Sequence, residues 1–199
     1  MINTAFVYFD GREDEFKKAF GFDMYDANGE PNYNELLVDF YCSQDNHNKK
    51  SFLFWSWDTV DTKEDWYWKD TDNDGIDDTY DEFGYGTTPK QREYRWEQYC
   101  NEHGINVDVK NNINVTHSNF EELSKKGMIT ISSAHFNLYD MNGNLVYKDV
   151  GSHCMTLTGF TDDGKYIVSS WGSQYILDPA GIDYSKDGAY VSFQHVIYK

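Results

Sequence analysis

The sequence predicts an α+β fold: N-terminal helices packed on a C-terminal antiparallel sheet, with an acidic, aromatic-rich insertion between them. Three observations predict it. Apolar residues recur at helical spacing in the first 42 residues and again at 91–103 and 118–126. From residue 128 onward the hydrophobic period changes to two, the strand signal. The strands follow the helices instead of alternating with them, which separates this layout from a βαβ chain. A chain of 199 residues has room for one sizeable domain with an insertion. We expect one domain over 1–199 and an excursion over 43–90.

The elements follow in order. Residues 4–20 read as a helix interrupted near Gly11, with Ala5, Phe6, Phe9, Phe16, Ala19 and Phe20 on one face and Gly21 ending it. Residues 33–42 form a second helix; Asn32 is an N-cap candidate and Glu35 completes a capping-box pattern. Residues 43–90 are acidic and loop-rich, with tryptophans at 55, 57, 66 and 68 and one short strand expected at 51–57. A helix over 91–103 turns Trp96, Tyr99, Cys100 and His103 inward and stops at Gly104. Another spans 118–126, capped by Ser118 and stopped by Gly127. Strands are expected at 128–139, 144–149, 153–160, 165–171, 174–178 and 189–198, with hairpin turns at Asn142-Gly143 and Asp162-Asp163-Gly164.

Composition narrows the function classes. Aromatic residues make up 18% of the chain, so the core should be built largely from Phe, Tyr and Trp. The net charge is -17, from 34 acids against 17 bases. Phosphate contact needs a basic face, so neither nucleic acid nor an anionic membrane is an expected partner. No apolar run has the length of a membrane span, so no membrane insertion is expected, and no signal peptide is visible. The cysteines, Cys42, Cys100 and Cys154, fit no zinc spacing, and a Cys42–Cys100 bridge stays open as an alternative to free thiols.

Residues 70–81, DTDNDGIDDTYD, carry a cation-ligand pattern. Asp70, Asp72 and Asp74 recur every second residue, and Gly75 permits a sharp turn. Ile76 offers its carbonyl, Asp78 stands where a ligand acts through water, and Asp81 closes the loop in place of the usual Glu. A hard cation takes roughly six to eight oxygens, and this spacing wraps the chain around one ion. The stretch resembles the aspartate-rich calcium loops of thrombospondin type 3 and dockerin-like modules. That resemblance implies structural calcium and an extracellular or cell-surface setting, in a bacterial protein. The nearby tryptophans are read as a small satellite core beneath the loop, with carbohydrate or peptide binding as the alternative.

The last motif is GSHCMTLTGFTDDGKYIVSSWGSQYIL, residues 151–177. His153 opens a strand, a tight turn follows, and the returning strand ends in Ser169-Ser170-Trp171-Gly172. Antiparallel neighbours bring these side chains together, and a catalytic imidazole needs a partner that fixes its tautomer. Ser169 or Ser170 can supply that partner.

The motif resembles the C-terminal half of papain-like cysteine peptidases, nearest to bacterial double-glycine-peptidase-like members. There a Gly-x-His strand, a hairpin and a strand ending in Asn or Asp before Trp-Gly form the base half of the site. The resemblance implies a papain-like fold and cleavage of a peptide or amide bond by thiolate attack. His153 becomes the general base, Ser169 stands at the Asn/Asp position that orients it, and Trp171 shields the pair. A serine carries no charge and stabilises an imidazolium less than a carboxylate does.

The nucleophilic cysteine of that family begins the first long helix, where the helix N-terminus lowers its pKa. INTAFVYFD matches that helix, which leaves three alternatives: the cysteine lies just upstream of Met1, Met1 replaces it, or there was none. As given, the chain reads as truncated or inactive. Cys42 ends a helix, Cys100 lies on an apolar helical face and Cys154 points away from His153, so none is expected to serve. The expected partner is a peptide or protein substrate, bound by a monomer. The alternative is a non-catalytic extracellular domain that binds a peptide or glycan on the same fold.

Overall fold

The computed structural model describes residues 1–42, 50–52, 55–57 and 89–199. Its layout is the α+β arrangement: helices packed on an eight-stranded, wholly antiparallel sheet, all but the short helix Phe120–Ser124 on one face.

The first expected helix is two. Helix α1 (Ile2–Phe9) and α2 (Glu13–Phe20) are separated at Gly11, whose φ of 73° is left-handed. Helix α2 ends on Gly21 at φ 87°, with its N–H bonded to the Lys17 carbonyl, a glycine C-cap. Helix α3 spans Tyr33–Cys42 as its apolar spacing predicts. The Asn32 side chain donates its amide to the Asp23 carbonyl at 2.7 Å, which ties the preceding loop to the start of α3. Within the excursion, β1 (Lys50–Phe52) and β2 (Trp55–Trp57) pair antiparallel, two strands where the sequence suggests one.

Helix α4 (Pro89–Glu102) leads into β3 (Val107–Asn111), a strand the sequence reading lacks. Helix α5 (Phe120–Ser124) is shorter than expected, and Ser118 does not cap it: its hydroxyl bonds Thr116 Oγ1 at 3.0 Å. Asn119 instead folds the preceding turn, accepting from the Thr116 N–H and donating to the Asn114 carbonyl. Gly127 matters for a reason other than stopping a helix. A Cβ there would lie 2.3 Å from the Val196 carbonyl oxygen, so only glycine allows the two backbones to approach.

The remaining strands are β4 (Met128–Ser133), β5 (Phe136–Tyr139), β6 (Leu145–Val150), β7 (His153–Phe160), β8 (Tyr166–Ser170), β9 (Ser173–Leu177) and β10 (Val191–Tyr198). Their order in the sheet is β3-β10-β4-β7-β8-β9-β5-β6. The single strand expected over 128–139 is broken at His135, which adopts a left-handed φ of 57°. The break sends β4 to pair with β10 and β7, and β5 to pair with β9 and β6.

Two cores lie on opposite faces of this sheet. Phe6, Phe9, Phe16, Phe20, Phe40, Trp96 and Tyr99 from the helices pack over Val107, Val109 and Val196. On the other face Ile129, Ile131, Leu138, Met155, Leu157, Val168 and Leu177 pack together, covered by Val115 and Ile182. No helix among the described residues is long and apolar enough to cross a membrane.

Candidate active-site cleft

The side chains between the helices and the sheet do not close up everywhere. A cleft of 510 Å³ opens at one end, walled by three helices and the sheet. Met1, Ile2 and Asn3 enter from the start of α1, Tyr33, Asn34 and Leu37 from α3, and Arg92 and Arg95 from α4. The sheet contributes His153, Cys154 and Thr156 from β7 and the run Ser169-Ser170-Trp171-Gly172. The histidine hairpin and the start of the first helix thus face one space.

His153 is held by two neighbours. Its Nε2 lies 2.7 Å from Ser170 Oγ. Its ring stacks on the Trp171 indole, with centroids 4.3 Å apart and planes inclined by 14°. Burial holds its pKa below the ordinary value of 6.5, so the imidazole is neutral at neutral pH and available as a base.

The serine hydrogen-bonded to His153 is Ser170 and not Ser169, and the register explains why. Beside the turn, Phe160 pairs with Tyr166 and Gly159 with Ile167. That register, continued, would set Leu157 opposite Ser169 and put Ser169 on the face of His153. A β-bulge between Leu157 and Gly159 shifts the pairing, so Leu157 meets Val168 and Thr156 meets Ser169. Ser170 then shares the face of His153, while Ser169 points with Thr156 into the cleft floor beneath the helices.

Trp171 stands in an unusual backbone position. It has φ 47° and Gly172 has φ 73°, the pair of left-handed residues that a two-residue hairpin turn requires. Asn-Gly is the common choice there. A bulky residue in the left-handed region costs on the order of 1–3 kcal/mol and persists only where its surroundings hold it. Here the surroundings are aromatic: Tyr147 lies 5.0 Å from the indole, Tyr175 lies 6.3 Å away, and His153 closes the stack.

Of the cysteines, Cys100 is fully buried on the inward face of α4, and burial pushes its thiol pKa far up, so it is inert core. Cys154 pairs with Ser132 across the ladder, on the helix-facing side of the sheet and opposite to His153. It is a free thiol in the cleft floor, as Cys100 is in the core. Met1 occupies the helix start and carries no thiol. The other described histidines have structural partners: His103 bonds the Ala19 carbonyl, His117 lies against the Phe160 ring, His135 pairs with Asp149, and His195 bonds the Leu123 carbonyl.

The arginines are what sequence reasoning missed. Arg92 and Arg95 each stand four residues before Trp96 and Tyr99 respectively, which places them on the same inward stripe of α4. That spacing was the available signal. Arg92 donates to Ser132 Oγ at 2.6 Å and to Gln194 Oε1 at 3.0 Å, and Gln194 donates in turn to Asn111 Oδ1 at 2.6 Å. Arg95 is only 5% exposed.

The proposed calcium ligands Asp70, Asp72, Asp74, Ile76, Asp78 and Asp81 lie outside the described residues, as do Trp66 and Trp68. Among the described residues no group of three or more His, Cys, Asp or Glu side chains is placed to hold a metal. No protein-family model, curated protein or solved structure matches the chain.

Proposed function

We propose that this chain carries the base half of a papain-like cysteine-peptidase site and that its cleft takes a peptide or protein segment. The observation that carries the reading is the strained Trp171 lying flat on His153, with Ser170 on Nε2, in a cleft shared with the start of α1. Ser170 accepts from Nε2–H in the tautomer that leaves Nδ1 as the base. Nδ1 then takes the proton of a thiol at the N-terminal end of α1. The thiolate attacks the substrate carbonyl, the amine leaves with the proton from His153, and water releases the acyl group.

Met1 carries no nucleophile, so the test supplies one. In Met1→Cys, with a tag ahead of it, the new thiol should be alkylated near pH 6 at least about ten-fold faster than a free thiol, whose pKa is near 8.5. Peptide mapping distinguishes it from Cys154. His153→Ala in the same background should abolish the excess. An ordinary alkylation profile at position 1 would defeat the peptidase reading. It would favour the second reading, a non-catalytic binding domain, which the exposed shelf of Trp171 and Tyr147 beside the cleft supports.

The aspartate-rich loop is proposed as a structural calcium site, which stabilises by about 2.7 kcal/mol at a hundred-fold excess over Kd. Chelator should then lower the melting temperature of the whole chain and Ca²⁺ restore it. No change on chelation would remove calcium from the account.

A further inference from the structure

Two free thiols lie on the helix side of the sheet, in opposite surroundings. Cys100 has no exposed surface and packs among aromatic rings. Cys154 is half-buried and lines the floor of the 510 Å³ cleft. It lies on the face away from His153, so the imidazole cannot serve it as a base. Its neighbours on its own face are hydroxyls. Ser132 stands directly opposite Cys154 across the ladder, and Thr130 stands opposite Thr156, one diagonal step from the sulfur.

Both hydroxyls are oriented toward that sulfur. Ser132 Oγ accepts from Arg92 at 2.6 Å, which leaves its own proton to donate. Thr130 is 1% exposed, and its hydroxyl has no hydrogen-bond partner. A buried donor without an acceptor is costly, and a neutral thiol is a poor acceptor. A thiolate is a good one, so ionising Cys154 gives Thr130 the partner it lacks. Burial pushes the Cys154 thiol up, but the amino group at Met1, the Arg92 guanidinium and the two hydroxyls more than offset it, and the thiol lies below its ordinary value.

We propose that Cys154 is a covalent modification site in the cleft floor, which exchanges with low-molecular-weight disulfides and carries a small thiol as a mixed disulfide. The Cys154 thiolate attacks one sulfur of the small disulfide. A new S–S bond forms, the old one breaks, and the other half leaves as a thiolate carrying the electron pair. A dithiol reductant reverses the step. The bound group stands in the cleft, and the site holds whether or not the cleft takes a peptide.

The test treats the whole folded chain with glutathione disulfide and maps the adducts by mass spectrometry. Cys154 should carry glutathione, reducible by dithiothreitol, and Cys100 should stay free. The rate of Cys154 alkylation by iodoacetamide is then followed against pH, folded and in urea. Restricted access scales such a profile without moving its midpoint, so the midpoint reports the thiolate. The folded midpoint should lie below the unfolded one, which is near the free-thiol value of about 8.5.

Thr130→Val, which keeps the shape and removes the donor, should raise the folded midpoint, and Ser132→Ala should do the same. A folded midpoint at or above the unfolded one, or no adduct at Cys154, would overturn the site. Should either variant fail to fold, the profile of the intact protein decides. The peptidase reading is judged separately, by the thiol placed at position 1.

Discussion

The two faces of the sheet are built from different materials. The helix side is aromatic, with Phe6, Phe9, Phe16, Phe20, Phe40, Trp96 and Tyr99 at its centre. The far side is mostly aliphatic, with Ile129, Ile131, Leu138, Leu157, Val168 and Leu177. The composition suggested a core built largely from aromatic residues, and that describes the helix side but not the far side. The reason is geometric. Short helices cross the sheet leaving irregular gaps, which large flat rings fill edge to face, as Phe9 does against Phe16 with ring planes at 87°. The far side joins strands to strands, where branched aliphatic chains interdigitate. Each face also supplies half of the cleft: Cys154, Thr156 and Ser169 from the helix side, His153 and Ser170 from the other.

The largest expected effect comes from emptying the aromatic side. Phe16 has no exposed surface, and Phe16→Ala should cost about 3–5 kcal/mol. Ile131→Val on the opposite face should cost only about 0.5–1.5 kcal/mol. Denaturant unfolding followed by both tryptophan fluorescence and far-ultraviolet circular dichroism would show whether the faces melt together. Separate transitions in Phe16→Ala would break the picture of one sheet shared by two cores.

A smaller effect belongs to acid. His153 and His195 both lie on the aliphatic face, and burial lowers the pKa of both below 6.5. The unfolded chain therefore binds protons more readily than the folded one, so stability rises with pH through this range. It should be fully present above about pH 6.5 and fall progressively below it, before the carboxylates near pH 4 contribute. The slope between pH 7.5 and 5.5 should shrink in His153→Gln. An unchanged slope in that variant would remove His153 from the buried set.

The smallest effect separates the two serines. Ser170→Ala should cost about 1 kcal/mol and shift the His153 titration seen by NMR, because it removes the bond to Nε2. Ser169→Ala, on the opposite face, should leave that titration unmoved. The reverse result would put Ser169, and not Ser170, against the imidazole.

Much of this was legible in the sequence. Helix α3 and the helix over 89–102 follow from their apolar spacing, and the hairpins at Gly143 and Gly164 follow from turn chemistry. The break at His135 was not, because a left-handed histidine inside an apolar run leaves no compositional trace. Strand β3 escaped because two inward valines, Val107 and Val109, are too short a pattern to stand out. The stacking of His153 on Trp171 was legible in the motif, and the hydrogen-bond partner was not. His153 and Trp171 meet as the motif implies, but one bulge moved the partner from Ser169 to Ser170. Bulges are set by pairing across strands, and a single strand's sequence does not reveal them.

Strand β10 has a consequence for how the molecule comes into being. It lies inside the sheet, between β3 and β4, and its Tyr198 hydroxyl meets Thr4 and Trp96 under the helices. Residues from both ends of the described chain thus share one hydrogen-bonded knot. During synthesis the hairpins from β5 to β9 can zip as they emerge, but β3 and β4 have no common neighbour until residue 198 leaves the ribosome. The aromatic helices must wait through that interval with their greasy faces uncovered. A chain of this topology is expected to fold late and to lean on chaperones while it does so.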